Sequence, residues 1–260
     1  MSIFNFNKNI YSKFGYISDQ KGILSRYNRE KKNWDEHLNN CKKYIINYCN
    51  SINTKNIAIL GSGWLLDVPL EFLSKKFNTV YLIDVNHPSN TNKIKKLYPN
   101  VEFVTDDISG GSVEFANNCV NIYKKSKIKI DIKDFEKNIY NPSINNTAFI
   151  SLNILNQLDI LLIDYLNEFN IYNEDEIIQL RKIIQNNHIN FLRHNKSCLI
   201  SDIEEYIINK DESIEKTNQL IYSKIPSGNN YQEWIWKFDT KKRYIENRKT
   251  YFKVIATELA

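Results

Sequence analysis

The chain has 260 residues, enough for one large domain or one domain with an attached extension. Hydrophobic residues make up 42% and charged residues 25%, and no stretch approaches the ~20 uninterrupted apolar residues of a helical bilayer span, so a soluble globular chain is expected. The net charge of +5, from 35 Lys and Arg against 30 Asp and Glu, is too small a bias to select or reject nucleic acid as a partner.

The opening run MSIFNFNKNIYSKF alternates polar and aromatic side chains and lacks the apolar core and cleavage site of a secretion signal, so a cytoplasmic protein is expected. Residues 16–50 carry a helical stripe through Trp34, Leu38, Cys41, Ile45 and Tyr48, and residues 1–54 read as an N-terminal helical extension or cap. From Lys55 the order is strand 56–60, helix, strand 79–83, helix at about 89–98 and strand 101–105. Residues 112–146 interrupt this alternation as a polar, lysine-rich insertion with one helix at about 113–125. The pattern resumes with strand 148–152, helices near 157–169 and 174–195, and strand 197–202. Two further strands, 233–238 and 250–257, follow with no room between them for a crossover helix, so they are expected to pair antiparallel. The expected fold is α/β: a Rossmann-like doubly wound sheet over residues 55–260, mostly parallel, with a C-terminal antiparallel hairpin.

Cys41, Cys49, Cys119 and Cys198 are scattered without a C-x-x-C pair, so reduced core thiols are expected and no metal is called for. No internal repeat is visible, and the abundant Asn, Ile and Lys read as compositional bias.

Glycine is scarce, seven residues in all, and four of them sit after apolar runs: Gly61 and Gly63 after the first strand, Gly110 and Gly111 after the third. Gly61-Ser62-Gly63 is followed by Trp64-Leu65-Leu66-Asp67-Val68-Pro69-Leu70, in which Asp67 reads as an N-cap and Pro69 as a first-turn residue. The second strand ends in Asp84, 21 positions beyond Gly63, the spacing at which a nucleotide-binding unit places a carboxylate for a ribose hydroxyl pair.

These segments, IAILGSGWLLDVPL, VYLIDVNHP, VEFVTDDIS and FISLNILNQL, together with the terminal hairpin, resemble the class I S-adenosylmethionine (SAM)-dependent methyltransferase superfamily over roughly residues 55–260. The resemblance implies SAM as cofactor, with Gly61, Ser62 and Gly63 at its methionine part, Asp84 at the ribose and Asp107 at the adenine amino group. Two departures stand out: the usual acid two residues before the first glycine is Ile59, and the usual third glycine is Leu65. Asp67 is the candidate to replace the missing carboxylate. A nicotinamide oxidoreductase is the nearest competitor, but its third glycine falls at Leu66, where a branched side chain obstructs close helix-to-strand packing.

In an open α/β sheet ligands lie beyond the carboxyl ends of the strands. Asn153 is therefore assigned to the cofactor, and Asn156 and Gln157 to the substrate, against the plainer alternative of helix capping. No [DN]-P-P-[YF] tetrapeptide follows strand four, which removes support for adenine and amide acceptors and favours a small-molecule oxygen or nitrogen nucleophile. His188 is the candidate base, ahead of His87, and His37 the candidate contribution of the N-terminal helix to substrate binding. Trp234, Trp236 and Phe238 share a strand face that suits core packing or a homodimer surface. A nucleic-acid reading would set Tyr123, Tyr140 and Lys124, Lys125, Lys127 and Lys129 against bases and phosphates; it is not favoured, since such lysines are usually a solvated face. From another class, a noncatalytic binding protein would keep the core and use residues 112–146 to engage a partner.

Overall fold

The structure, a computed structural model, describes residues 8–259. Residues 1–7, where the expected N-terminal extension begins, and residue 260 lie outside the described residues. Helices α1 (Lys8–Lys13) and α2 (Tyr16–Ser51) precede the first strand. The chain then alternates β1 (Asn56–Leu60), α3 (Leu70–Lys76), β2 (Thr79–Asp84), α4 (Thr91–Leu97), β3 (Val101–Thr105) and α5 (Ser112–Ser126). A 3-10 turn (Ile132–Lys137), β4 (Thr147–Leu152), α6 (Gln157–Asn167), α7 (Glu174–Arg193) and β5 (Ser197–Ile208) follow. The chain ends on β6 (Ile214–Gln219), β7 (Asn229–Asp239) and β8 (Lys249–Glu258).

Among the described residues the eight strands form one sheet, in the order β3-β2-β1-β4-β5-β8-β7, with β6 paired to β5 off this path. The first five are parallel, and β8 inserts antiparallel between β5 and β7. Order 3-2-1-4-5 reverses direction between β1 and β4, which creates the crevice at which doubly wound sheets take their ligands.

Strands buried on both faces explain the apolar runs that stand in place of alternation. Ala58, Leu60, Ile83, Phe149 and Leu199 face a core shared with α5, α6 and α7. Ile57, Ile59, Val80, Leu82, Ile150 and Ile200 face a second core closed by Leu73 of α3 and by Trp34, Leu38, Cys41, Ile45 and Tyr48 of α2. The stripe on α2 is thus the cover of one sheet face, and Trp236 and Phe238 of β7 pack beneath it at 8% and 5% exposure. All four cysteines are buried and free. No helix among the described residues is long and apolar enough to cross a membrane.

Three segments differ from the sequence reading. Residues 112–126 form the crossover helix between β3 and β4: Val113, Ala116, Cys119 and Val120 are buried, so the polar interruption narrows to 127–146. Strand β5 runs on to Ile208 through a register shift between Asp202 and Glu204, a bulge that turns its second half from β4 towards β6. Strand β6 itself, IEKTNQ, is polar and exposed, and carries no apolar signal by which to detect it.

Candidate functional site

The glycine turn is shaped by backbone contacts. Gly61 and Ser62 both donate to the Ile83 carbonyl of β2, at 3.0 and 3.2 Å. Gly61 has φ +83°, and a Cβ there would meet the Leu152 carbonyl and Ile154 Cβ at 2.9 Å, so only glycine fits between β1 and the end of β4. Gly63, at φ +45°, faces open space instead, with no atom but the Gly61 carbonyl near the position of a Cβ. This gap is a cradle in which a ligand can approach the backbone.

Around it opens a cleft of about 260 Å³, lined by the ends of β1, β2, β4, β5, β7 and β8 and by α2. Of the residues expected to hold a cofactor, Gly61, Ser62, Gly63, Asp67, Asp84, Asp107 and Asn153 all line it, as do Asn156, Gln157 and His37, expected at the substrate.

Asp84 ends β2 with both carboxylate oxygens engaged. Oδ2 accepts from the Gly63 amide at 2.8 Å, and Oδ1 from the Val85 amide at 2.8 Å and Gln20 Nε2 at 2.7 Å. Burial outweighs these bonds and pushes its carboxyl up to about 6. Asp107 Oδ1 accepts from the amide and hydroxyl of Ser109 at 2.9 and 2.6 Å, and burial again raises its pKa.

Asp67 is not the N-cap the sequence suggests. Pro69 takes that position and α3 begins only at Leu70, which leaves the Asp67 carboxylate in the cleft, where Asn153 Nδ2 donates to it at 2.9 Å. Burial raises its pKa. Asn153 has φ +50°, which asparagine tolerates better than most residues, and its Oδ1 is buried without a donor. Ser62 Oγ is likewise buried without a partner.

His37 lies flat on Trp236, ring centroids 4.0 Å apart. Trp234 Nε1, which can only donate, points at His37 Nδ1 from 3.0 Å; Nδ1 is therefore the acceptor and Nε2 carries the proton. Burial pushes the imidazole down to about 3 and keeps it neutral. His37, Cys41 and Asp67 bring ligand-type atoms within 4.8 Å of one another. With Nε2 protonated, however, His37 offers no lone pair to that trio, and a metal ion would have to break the bond from Trp234.

His188, the expected base, does not reach the cleft. It is 2% exposed on α7, its Nε2 lies 2.8 Å from Ser151 Oγ within the core, and burial pushes it down to about 3. The assignment is corrected to a core histidine. His87 likewise does not line the cleft; it meets the Phe103 ring edge-on. Gln157 sits at the rim with Nε2 bonded to the Asn153 carbonyl at 2.8 Å. Asn156 precedes α6 without capping it: Nδ2 donates to Asp202 Oδ2 at 2.8 Å.

Asp19, Gln20, Arg26, Asp202 and Tyr244 also line the cleft, and sequence reasoning missed them. Asp202 ends the apolar run of β5 as Asp84 ends that of β2, so its signal was present. Asp19, Gln20 and Arg26 look like ordinary polar positions of a helix, and only the docking of α2 reveals them. Gln20 clamps Asp84, and its carbonyl accepts from Trp64 Nε1 at 2.6 Å, tying α2 to the glycine turn.

The cleft is acidic: Asp19, Asp67, Asp84, Asp107 and Asp202 line it against Arg26 as the one formally cationic side chain among the lining residues.

No family model and no curated protein matches the chain. Among solved structures, an rRNA methylase from Streptococcus thermophilus aligns over 84% of this chain and 95% of its own at 10% identity, with a TM-score of 0.29. That similarity assigns no activity to this chain.

Proposed function

We propose that the chain is an S-adenosylmethionine-dependent methyltransferase acting on a small-molecule nucleophile. The observation that carries this reading is the charge of the cleft at the reversal point of the sheet. Five aspartates suit a cofactor with a sulfonium and an ammonium group, and they oppose a dinucleotide with its two phosphates. The architecture of the turn agrees: pyrophosphate sites set a helix N-terminus directly behind the glycines, whereas here α3 starts seven residues after Gly63 and the half-buried Asp67 carboxylate stands in between.

The residues fit the group. Gly63 leaves the cradle open, and the unpartnered Ser62 Oγ and Asn153 Oδ1 are buried polar atoms to which a bound amino-acid moiety would bring partners. Asp84, beyond the glycine turn, is the carboxylate we assign to a ribose diol, whose hydroxyls would share or displace the Gly63 amide on Oδ2 and Gln20 on Oδ1. When bound, S-adenosylmethionine supplies an electrophilic methyl group. The protein's share is to orient the acceptor, exclude water through the aromatic wall of Trp34, Trp236 and Phe238, and hold the acceptor in line.

An RNA acceptor lacks comparable support. Lys124, Lys127 and Lys129 lie over the rings of Phe169, Tyr123 and Tyr172, and Lys129 also pairs with Glu176, so this cluster is partly engaged within the chain.

The test is Asp84→Ala. Loss of a charge-assisted pair of hydrogen bonds should weaken S-adenosylhomocysteine binding on the order of tenfold or more, measured by calorimetry. Unchanged affinity in a folded variant would remove the ribose assignment.

A further inference from the structure

Strand β7 ends the sheet: β8 pairs along one side of it, and among the described residues no strand pairs along the other. Its side chains alternate from Glu233 to Phe238. Trp234, Trp236 and Phe238 pack into the core beneath α2, while Glu233, Ile235 and Lys237 are exposed on the opposite face. The register against β8 is unbroken from Gln232 to Trp236 and shifts only between Trp236 and Asp239. At the far end of the strand the Phe238 carbonyl accepts from Trp34 Nε1 at 2.8 Å. From Gln232 to Lys237 no turn, loop or side chain among the described residues takes up the outward backbone groups, and no proline interrupts them. Such an edge is a template for pairing with another strand.

The sequence along this edge is complementary to itself. Glu233-Trp234-Ile235-Trp236-Lys237 reads the same in both directions, except that an acid at one end answers a base at the other. Antiparallel pairing with a second copy that sets Ile235 opposite Ile235 places Glu233 opposite Lys237 of the second copy, and does so twice. Directly opposed side chains lie about 4.5–5.5 Å apart at Cβ, close enough for opposite charges to attract and like charges to repel. Lys237 has no ion pair among the described residues. Glu233 receives Lys253 at 3.3 Å and the Tyr231 hydroxyl at 3.0 Å on Oε2 alone, which leaves Oε1 open. A lone lysine on an edge strand would keep neighbours away; here the two-fold relation turns it into a partner. Ile235, 42% exposed, would meet its own copy on the axis.

We infer that the chain forms a two-fold homodimer through β7, with Ile235 on the axis, Glu233 paired to Lys237 of the second copy, and the two sheets joined into one. The contact is isologous and closes on itself, so both free edges are used and no filament grows from them. It stands apart from the methyltransferase reading, since it uses the edge and outer face of β7, whereas Trp236 and Phe238 on the inner face line the cleft.

The test is sedimentation equilibrium of the full chain across micromolar concentrations, where a species of twice the 30.8 kDa monomer mass is expected. K237E and E233K each set like charges opposite one another twice, and each should weaken dimerisation about tenfold or more. An equimolar mixture of the two variants should recover the dimer, because one copy then presents two glutamates to two lysines of the other. On oxidation I235C should crosslink across the axis, the four native cysteines being buried. Y231C should not, since this register holds its two thiols roughly 26 Å apart along the strands. A monomer at every concentration would overturn the inference and leave the edge to a different partner. A dimer indifferent to both charge variants, a mixture that does not recover, or equal crosslinking of I235C and Y231C would overturn it too.

Discussion

Asp84 ends β2 and Asp202 ends the apolar first half of β5, and burial drives both carboxyls up to about 6. They differ in what surrounds them. Asp84 accepts two backbone amides and a glutamine, whereas Asp202 has one amide side chain and, among the described residues, no ion-pair partner. In the ligand-free protein an ionised Asp202 is therefore a destabilising charge, and its neutral isostere should relieve the cost. The sign follows from linkage: a carboxyl raised in the folded state holds its proton there after the unfolded chain has lost it, so stability falls as pH rises from about 4 to about 6. D202N should match the wild type below pH 4 and gain about 1–3 kcal/mol by pH 7, because the folded carboxyl ionises only near pH 6 while the unfolded one ionises near its ordinary value. Urea unfolding at several pH values checks this; a variant less stable than wild type at pH 7 would mean that Asp202 is paired without ligand. At this scale the sequence was legible where an acid terminates an apolar run, as at Asp84, and misleading where a residue type has two uses. Asp67 had the type and position of an N-cap, but Pro69 shifts the helix start past it. His188 had the chemistry of a base, yet its place on α7 turns it into the core.

Among the elements, α2 does two things at once. Its central residues close a sheet face, and its first turns reach over the glycine loop with Gln20 and over the β7 end with Arg26. Trp34 anchors it: 1% exposed, stacked on Phe238 at 5.6 Å, edge-on to Trp236 at 4.8 Å, with Nε1 donating to the Phe238 carbonyl at 2.8 Å. Trp34→Ala should cost about 3–5 kcal/mol of global stability, as a large buried aromatic does. A loss under about 1 kcal/mol in urea titration would mean that α2 is a detachable cap over an independently stable sheet. Periodicity showed that α2 is an amphipathic helix, because its buried stripe recurs at helical spacing. What it covers was not legible, since a lid, a dimer arm and a core helix share that stripe. Strands β1 to β5 were legible because a sheet covered on both faces demands continuous apolar runs, and the antiparallel β7–β8 pair because the connection is too short for a crossover. β6 was hidden by its solvated edge, and the β3–β4 crossover by the lysines on the outer side of α5.

For the whole molecule, fold and charge point the same way. The sheet reverses direction between β1 and β4, the strand ends there deliver carboxylates, and the antiparallel insertion of β8 extends the cleft towards β7, where aromatic side chains form its far wall. A surface with a modest positive excess thus encloses a negative interior cleft, so a cationic ligand is favoured by local field and not by net charge. Ligand binding to such a site should also raise the melting temperature, because only the folded chain presents the converged aspartates. The direct measurement is a calorimetric titration of the purified protein with S-adenosylmethionine, S-adenosylhomocysteine and NADH under one set of conditions. Saturable binding of the first two and none of the third is expected of a methyltransferase site; binding of NADH alone, or of none of the three, would contradict it.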